Sequence, residues 1–163
     1  MNILLFPDER LRQRCAEVAG VDAKTLEFIE RLKELMYVNK GCVGIAAPQV
    51  GDLRRIVIVD VTGHKKAVQQ SGLLVLINPV LLIREGSQII REGCLSVPDY
   101  TGNVERFTGT RYKYMDTDGY ERLLETSGFE SVVVQHEADH LDGVLFLDRV
   151  RNTAKDLFRR KVY

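Results

Sequence analysis

Two histidines four residues apart, with a glutamate directly after the first, are the residues of this chain best suited to chemistry. Residues 136–140 read His136-Glu137-Ala138-Asp139-His140. On a helix, the pattern H-E-x-x-H brings both imidazoles to one face, where they can bind one metal ion and the glutamate can take a proton from water. The alternative is a structural pair, either exposed on a polar helix or hydrogen-bonded in the core.

A catalytic site of this kind needs a third protein ligand. After Glu137 the chain contains no further glutamate, and after His140 no further histidine. A glutamate ligand on a later helix is therefore excluded. Phe146 stands where the longer pattern H-E-x-x-H-x-x-G-x-x-H would place a third histidine. The third ligand must come from upstream or from an aspartate.

The cysteines are the best upstream candidates for the third ligand. Cys94 follows Gly93 at the end of a predicted strand, a position from which a thiol can reach inward, although most such cysteines are only structural. Cys15 and Cys42 fit that structural role better. His64 lies in a polar loop.

The pattern of apolar residues predicts helices over 22–38 and 129–141, each followed by a glycine that ends it. In the second helix, Phe129, Val132, Val133 and both histidines recur at helical spacing, which predicts one apolar inward face. We expect a helical turn over 8–14, strands over 56–61, 73–77, 80–84, 87–91, 104–115 and 120–125, and a last helix over 153–161. Pro98 is expected to end the strand that holds Cys94. The order of elements predicts an α+β fold.

Length and charge set limits on the class of protein. The chain has 163 residues, with 23 Lys plus Arg against 23 Asp plus Glu, which predicts one domain over 1–163 with a short tail at 153–163. The zero net charge argues against direct nucleic-acid binding. No stretch resembles a membrane span or a signal peptide, and three scattered cysteines suit a reducing compartment, so we expect a cytoplasmic protein.

Three segments taken together resemble the peptide deformylase family. That family carries G-φ-G-φ-A-A-x-Q, E-G-C-φ-S and H-E-x-x-H in this order, where φ is an apolar residue. Residues 42–49 read C-V-G-I-A-A-P-Q, residues 92–96 read E-G-C-L-S, and residues 136–140 follow. The similarity covers nearly the whole chain from the first predicted helix onward.

The resemblance implies mostly antiparallel sheets around a central H-E-x-x-H helix. It also implies an enzyme that removes the formyl group from the N-terminal formyl-methionine of nascent polypeptides and releases formate. One divalent ion would be held by Cys94, His136 and His140. The family resemblance suggests Fe²⁺ in the cell, and Zn²⁺, Ni²⁺ or Co²⁺ in preparations.

The same resemblance suggests roles around the metal. Glu137 would be the general base, and the Gln49 amide with the Leu95 backbone N–H would stabilise the oxyanion. Gln49 has a simpler alternative as a cap for the loop backbone. We expect Glu92 to anchor its loop or pair with an arginine, and Asp139 to hold a histidine or cap backbone.

A substrate pocket is expected beside the metal. Its residues would come from all three motifs and form an apolar slot suited to a methionine side chain, although simple core packing is the alternative. The predicted pocket residues are Val43, Gly44, Ile45, Ile90, Glu92, Gly93, Phe129, Val132 and Val133.

The sequence departs from the family pattern in two places. Cys42 stands where glycine is usual, which would narrow the cleft or add a reactive thiol. No arginine follows Cys94 at 99–102, where some members use one to hold the peptide, and Arg106 is the candidate substitute. Some members of the family dock on the ribosome through a basic C-terminal helix, so the resemblance suggests such a contact for the basic tail from Arg149, although a solvated face is the usual role of a charge run. The competing hypotheses are a relative with a different acyl-peptide substrate, a metallopeptidase, and a non-catalytic structural metal site.

Overall fold

Two antiparallel sheets and a central helix organise the chain. The computed structural model describes residues 1–161. Its helices are α1 (Ala23–Val38), α2 (Gly128–Leu141), α3 (Phe146–Arg149) and α4 (Thr153–Asp156), and 3₁₀ turns span Glu9–Arg12 and Ala47–Val50. Its strands are β1 (Gly44–Ala46), β2 (Ile56–Val59), β3 (Leu74–Glu85), β4 (Gln88–Cys94), β5 (Val97–Arg106), β6 (Gly109–Met115), β7 (Glu121–Ser127) and β8 (Leu157–Arg159).

The strands form one large and one small sheet. The larger sheet has the order β1-β2-β3-β6-β7, and the smaller has the order β4-β5-β8. Neighbouring strands pair antiparallel in both sheets. Helix α2 contacts β1, β2, β6 and β7 of the larger sheet, and its histidines meet the end of β4. The predicted α+β fold with antiparallel sheets around the H-E-x-x-H helix is therefore confirmed.

Helix α2 is buried over most of its circumference, whereas the sequence predicted one inward face. Polar residues such as Glu130 and Gln135 are as buried as its valines. Each has a partner: the Ser71 hydroxyl donates to Glu130 at 2.6 Å, and Gln135 donates to the Phe107 carbonyl at 2.9 Å. Pairing of this kind makes burial of a polar helix tolerable.

Helix α1 covers the other face of the larger sheet. Asp22 caps its first turn by accepting a hydrogen bond from the Thr25 backbone N–H at 2.8 Å, so the helix begins where the sequence predicted. Its apolar stripe of Ile29, Leu32 and Met36 is buried among isoleucines of β1, β2 and β3. Within residues 1–161, no helix combines the length and apolar character needed to cross a membrane.

Two predicted strands, 73–77 and 80–84, are one continuous strand. Strand β3 passes through Asn78, where its pairing with β6 shifts register. Asn78 has a φ of 53°, and its side chain accepts from the backbone N–H of Val18 and donates to the Val18 carbonyl, both at 2.8 Å. A tertiary contact therefore stabilises the irregular backbone that the sequence suggested was a break.

The predicted strand 104–115 is wrong, because it joins parts of two separate strands. Strand β5 ends at Arg106 and β6 begins at Gly109, and the two belong to different sheets. Pro98 lies inside β5 and does not end a strand.

The expected helix over 153–161 ends at Asp156, and β8 follows. Leu157 and Phe158 become half-buried when β8 pairs with the open edge of β5. Such burial outweighs the weak helical pattern of the segment. The end of the predicted tail, residues 162–163, lies outside the described residues.

Gly143 ends α2 where the N-terminal segment crosses it. Its φ is 72°, and an added Cβ would lie 2.3 Å from the carbonyl oxygen of Arg12. The crossing is close because the Cys15 backbone N–H donates to the Leu141 carbonyl at 2.8 Å. Glycine is therefore required here for both its backbone conformation and its lack of a side chain.

Gly143→Ala is expected to lower the free energy of unfolding by more than about 2 kcal/mol, because a left-handed backbone costs about 1–3 kcal/mol without glycine and the methyl group also overlaps backbone. Urea unfolding of metal-loaded protein measures the loss. Gly119→Ala is the matched control, since Gly119 has a φ of 84° and open space around it. An equal loss in both variants would contradict the clash with Arg12.

Candidate metal centre

Three buried side chains converge where β4 meets α2. One ligand atom from each of Cys94, His136 and His140 lies within 4.8 Å of the others, and the Cys94 Sγ is 3.4 Å from the His140 Nε2. The pairing of β4 with β5 shifts register between Gly93 and Cys94, next to the turn that joins the two strands. The structure therefore brings together the three ligands expected from the sequence.

Glu92 fixes the orientation of His136, one of the three ligands. Its Oε1 is 2.7 Å from the His136 Nδ1, which leaves the Nε2 of His136 for a metal. Arg106 donates to both oxygens of Glu92, at 2.7 and 2.9 Å. Burial alone would raise the pKa of Glu92, but the hydrogen bonds from Arg106 and His136 outweigh it and lower the pKa to about 2. Glu92 thus stays ionised, and the expected pairing with an arginine is present.

The same arginine links the small sheet to α2. Arg106 also donates to Asp139 at 2.6 Å, and Arg149 donates to Asp139 at 2.6 and 2.9 Å. The suggestion that Arg106 holds a substrate peptide is wrong, because its side chain is only 3% exposed and all its bonds are internal. Asp139 holds guanidinium groups where a histidine or backbone group was expected.

Glu137 lies against β1 in the wall of the cavity beside the cluster. Its carboxylate occupies the space that a Cβ on Gly44 would need, 2.7 Å from the Oε1. Burial raises the pKa of Glu137 to about 7. A carboxyl group with a pKa near neutrality can both accept and return a proton.

Two buried atoms at this site have no partner. Within residues 1–161, the Glu137 Oε2 and the His140 Nδ1 are the fully buried side-chain polar atoms that lack a hydrogen bond. Buried polar atoms without partners are uncommon, so this cluster differs from the rest of the core. A thiolate and two imidazoles at these separations fit a divalent transition metal, and the Glu137 Oε2 is available to a water molecule beside it.

Gln49 caps the loop backbone and also contacts the ligand cluster. Its Oε1 accepts from the Ala46 backbone N–H at 2.9 Å, which fixes the loop. Its Nε2 donates to the Ser96 hydroxyl at 3.1 Å and to the Cys94 Sγ at 3.4 Å. The side-chain amide is thus oriented toward the ligand cluster by its own backbone cap.

A cavity of about 390 Å³ opens beside the cluster. Most of the predicted pocket residues line it, together with Gln49 and Leu95: Val43, Gly44, Glu92, Gly93, Phe129, Val132 and Val133. Ile45 does not line it, and its assignment to the pocket is wrong. Ile90 does not line this cavity either, and its assignment stays a prediction. Ile45 is fully buried in the cluster around α1 because alternate residues of β1 face opposite sides. Ile90 lies four residues before Cys94, about 13 Å along an extended strand.

Several lining residues are not among the predicted pocket residues. His64, considered from the sequence only as a metal ligand, stacks on Phe129 with ring centroids 4.3 Å apart. Cys42 is half-buried and donates to the Gly44 carbonyl at 3.1 Å, and burial raises the pKa of its thiol to about 12. This pKa makes a reactive thiolate unfavourable. Four cations also reach the wall: Lys40, Lys66, Arg91 and Arg160.

Comparison with known proteins agrees with this geometry. The family model described as polypeptide deformylase matches residues 1–156. A peptide deformylase of Alkalilimnicola ehrlichii is 41% identical over 162 residues, which cover 99% of this chain and 88% of the relative. A peptide deformylase of Syntrophobacter fumaroxidans is 37% identical over 161 residues, 99% of this chain and 92% of the relative.

Solved structures show the same similarity. The crystal structure of peptide deformylase from Thermotoga maritima has a TM-score of 0.84 at 38% identity, and covers 93% of this chain and 97% of that one. A peptide deformylase from Synechococcus elongatus, solved in complex with actinonin, has a TM-score of 0.86 at 34% identity, with coverages of 94% and 80%. With the family model matching nearly the full length and the ligand cluster in place, the chain belongs to the peptide deformylase family.

Proposed function

We propose that this chain hydrolyses the N-terminal formyl group of formyl-methionyl nascent polypeptides and releases formate. The observation that carries the proposal is the buried cluster of Cys94, His136 and His140 with the Glu137 carboxylate beside it at the wall of the same cavity. Hydrolysis forms a bond from water oxygen to the formyl carbon and breaks the C–N bond. The free amine leaves with a proton.

The three ligands supply one thiolate and two imidazoles. A divalent ion bound there would act as a Lewis acid and lower the pKa of the attacking water. Glu92 fixes the ring of His136 through the Nδ1, which keeps the Nε2 oriented toward the cluster. The family resemblance favours Fe²⁺ in the cell, and the same donor set accepts Zn²⁺, Ni²⁺ or Co²⁺.

Glu137 would move the proton. Its position against Gly44, with no room for a side chain at that residue, holds the carboxylate at one point of the wall. We assign it acceptance of the proton from water and its return to the leaving amine. Burial, which raises its pKa to about 7, suits a group that must do both.

Gln49 and Leu95 would stabilise the oxyanion. The Gln49 Nε2 already lies beside Cys94, and Leu95 follows Cys94 in the cavity wall. Donors that are fixed before reaction stabilise developing charge without reorganisation. We assign the Gln49 amide and the Leu95 backbone N–H to this role.

The apolar part of the cavity would take the methionine side chain. Phe129, Val132 and Val133 lie one to two turns before His136 on α2, and Val43 faces the same cavity. His64 stacks on Phe129 and narrows this end. A flexible thioether fits such an irregular apolar slot.

The cellular setting stays a prediction. We expect action in the bacterial-type cytoplasm on chains leaving the ribosome. The basic tail from Arg149 would offer the ribosome less unpaired positive charge than the sequence suggests, because Arg149 bonds Asp139 and Arg151 bonds Glu105.

Glu137→Gln should reduce formate release from a formyl-Met tripeptide by about 10²–10⁴-fold, because the amide keeps the size of the side chain and cannot accept the proton. Anaerobically purified protein with measured metal content is used for both forms. The variant should retain the wild-type metal content, since Glu137 is outside the ligand cluster. Unchanged turnover at full metal content would refute the assignment, and a chelator should abolish turnover in the wild type.

Glu92→Gln should weaken metal binding by about 10–100-fold, the usual effect of removing a charged group that orients a ligand histidine. Competition with a chromogenic zinc chelator measures the affinity. Glu105→Gln is the matched control, because Glu105 lies on the neighbouring strand and, among residues 1–161, its side chain bonds only the exposed Ser87 and Arg151. Equal affinities for the Glu92 variant and the control would argue against the Glu92–His136 contact.

A further inference from the structure

The mouth of the cavity is cationic although the chain is neutral overall. Lys40, Lys66, Arg91 and Arg160 line it and are exposed. None of them forms a salt bridge with a carboxylate within residues 1–161. Their four charges are therefore available to a ligand that enters the cavity.

The two carboxylates of the cavity do not balance these charges. Glu92 is 7% exposed and bonds Arg106 and His136. Glu137 is 4% exposed at the foot of the cavity. The rim that a bound peptide crosses therefore presents positive charge to the solvent and to the substrate.

Strand β8 determines the positions of two of the four cations, Arg160 and Arg91. It pairs with β5 through Thr101 and Phe158, and the Arg160 backbone N–H extends the contact by donating to the Asp99 carbonyl at 2.8 Å. The guanidinium of Arg91 lies over the Phe158 ring, 3.6 Å from its centroid. The C-terminal strand thus brings Arg160 to the cavity and fixes Arg91 beside it.

In the wall of the cavity, Arg160 lies close to the residue that precedes the ligand Cys94. Its Nη2 is 2.5 Å from the point where a Cβ on Gly93 would be, and Gly93 precedes the ligand Cys94. An extended peptide advances about 3.3 Å per residue. A peptide with its formyl group at the cluster would therefore present its second or third side chain to Arg160.

We propose that Arg160, supported by Arg91, makes this chain select substrates with an acidic side chain at the second or third position. Arg160 acts here as a specificity-determining residue for the reaction under Proposed function, on which this inference rests. An exposed guanidinium gains affinity for a carboxylate through a charged hydrogen bond that an amide side chain matches only weakly.

The test compares peptides that differ by one group. The substrates are formyl-Met-Asp-Ala-amide and formyl-Met-Ala-Asp-amide, each with its Asn and Lys counterpart, and the C-terminal amide removes the terminal carboxylate. Wild type should favour Asp over Asn at one position by about three- to fivefold in kcat/KM at low salt, the scale of an exposed ion pair. The preference should lie in KM and shrink in about 0.5 M salt.

Arg160→Gln should remove this preference and leave kcat for the Asn peptides unchanged. Arg160→Glu should reverse it toward Lys. Arg159→Gln is the matched control: it removes the same charge from the neighbouring residue of β8, which is exposed and does not line the cavity. Equal kcat/KM for Asp and Asn peptides in wild type, or a preference that survives in Arg160→Gln, would overturn the inference.

A binding measurement separates this inference from the proposed reaction. Calorimetric titration of zinc-loaded protein with the deformylated products Met-Ala-Asp-amide and Met-Asp-Ala-amide, and with their Asn forms, requires no turnover. Tighter binding of an Asp product that is lost in Arg160→Gln supports the inference even where no formate is released. Equal binding of Asp and Asn products overturns it, even if all peptides are deformylated.

Discussion

Burial of a polar helix is the constraint on which the rest of the structure depends. Helix α2 lies between two sheets and carries charged and hydrogen-bonding side chains on nearly every side. An unpaired buried group of this kind costs about 1–3 kcal/mol, more if it is charged. The surrounding elements therefore supply partners, such as Ser71 for Glu130 and Glu92 for His136. Within residues 1–161 the exceptions are the Glu137 Oε2 and the His140 Nδ1, one on the proposed base and one on a metal ligand.

Arg106 connects the parts of this arrangement. It comes from β5, bonds Glu92 on β4, and bonds Asp139 on α2. A buried charge that loses a partner costs about 3–5 kcal/mol, so the small sheet and the helix are held in one relative position. Since Cys94 lies on that sheet and His136 on that helix, the geometry of the metal ligands depends on a contact that itself binds no metal.

The sequence predicted what local pattern and motif spacing determine. Helices α1 and α2 and the set of Cys94, His136 and His140 follow from periodicity and the resemblance. The errors concern non-local packing. Ile45 was placed in the pocket because its motif is functional, whereas strand alternation turns it toward α1. Arg106 was predicted to hold the substrate because the sequence does not show its burial between two acids, which is a property of the tertiary fold.

The C-terminal strand shows a further limit of local pattern. A basic run with weak helical spacing predicts a solvated helix, and only the open edge of β5 makes β8 favourable. The site therefore has two parts, a buried part that carries the chemistry and an exposed cationic rim. The metal ligands and Glu137 are buried on β4 and α2, and Arg106 links these two elements. The cations of the rim are exposed, have no carboxylate partners within residues 1–161, and come partly from the edge of the small sheet. Their charge can change without disturbing the ligands, so specificity can vary while the chemistry stays fixed.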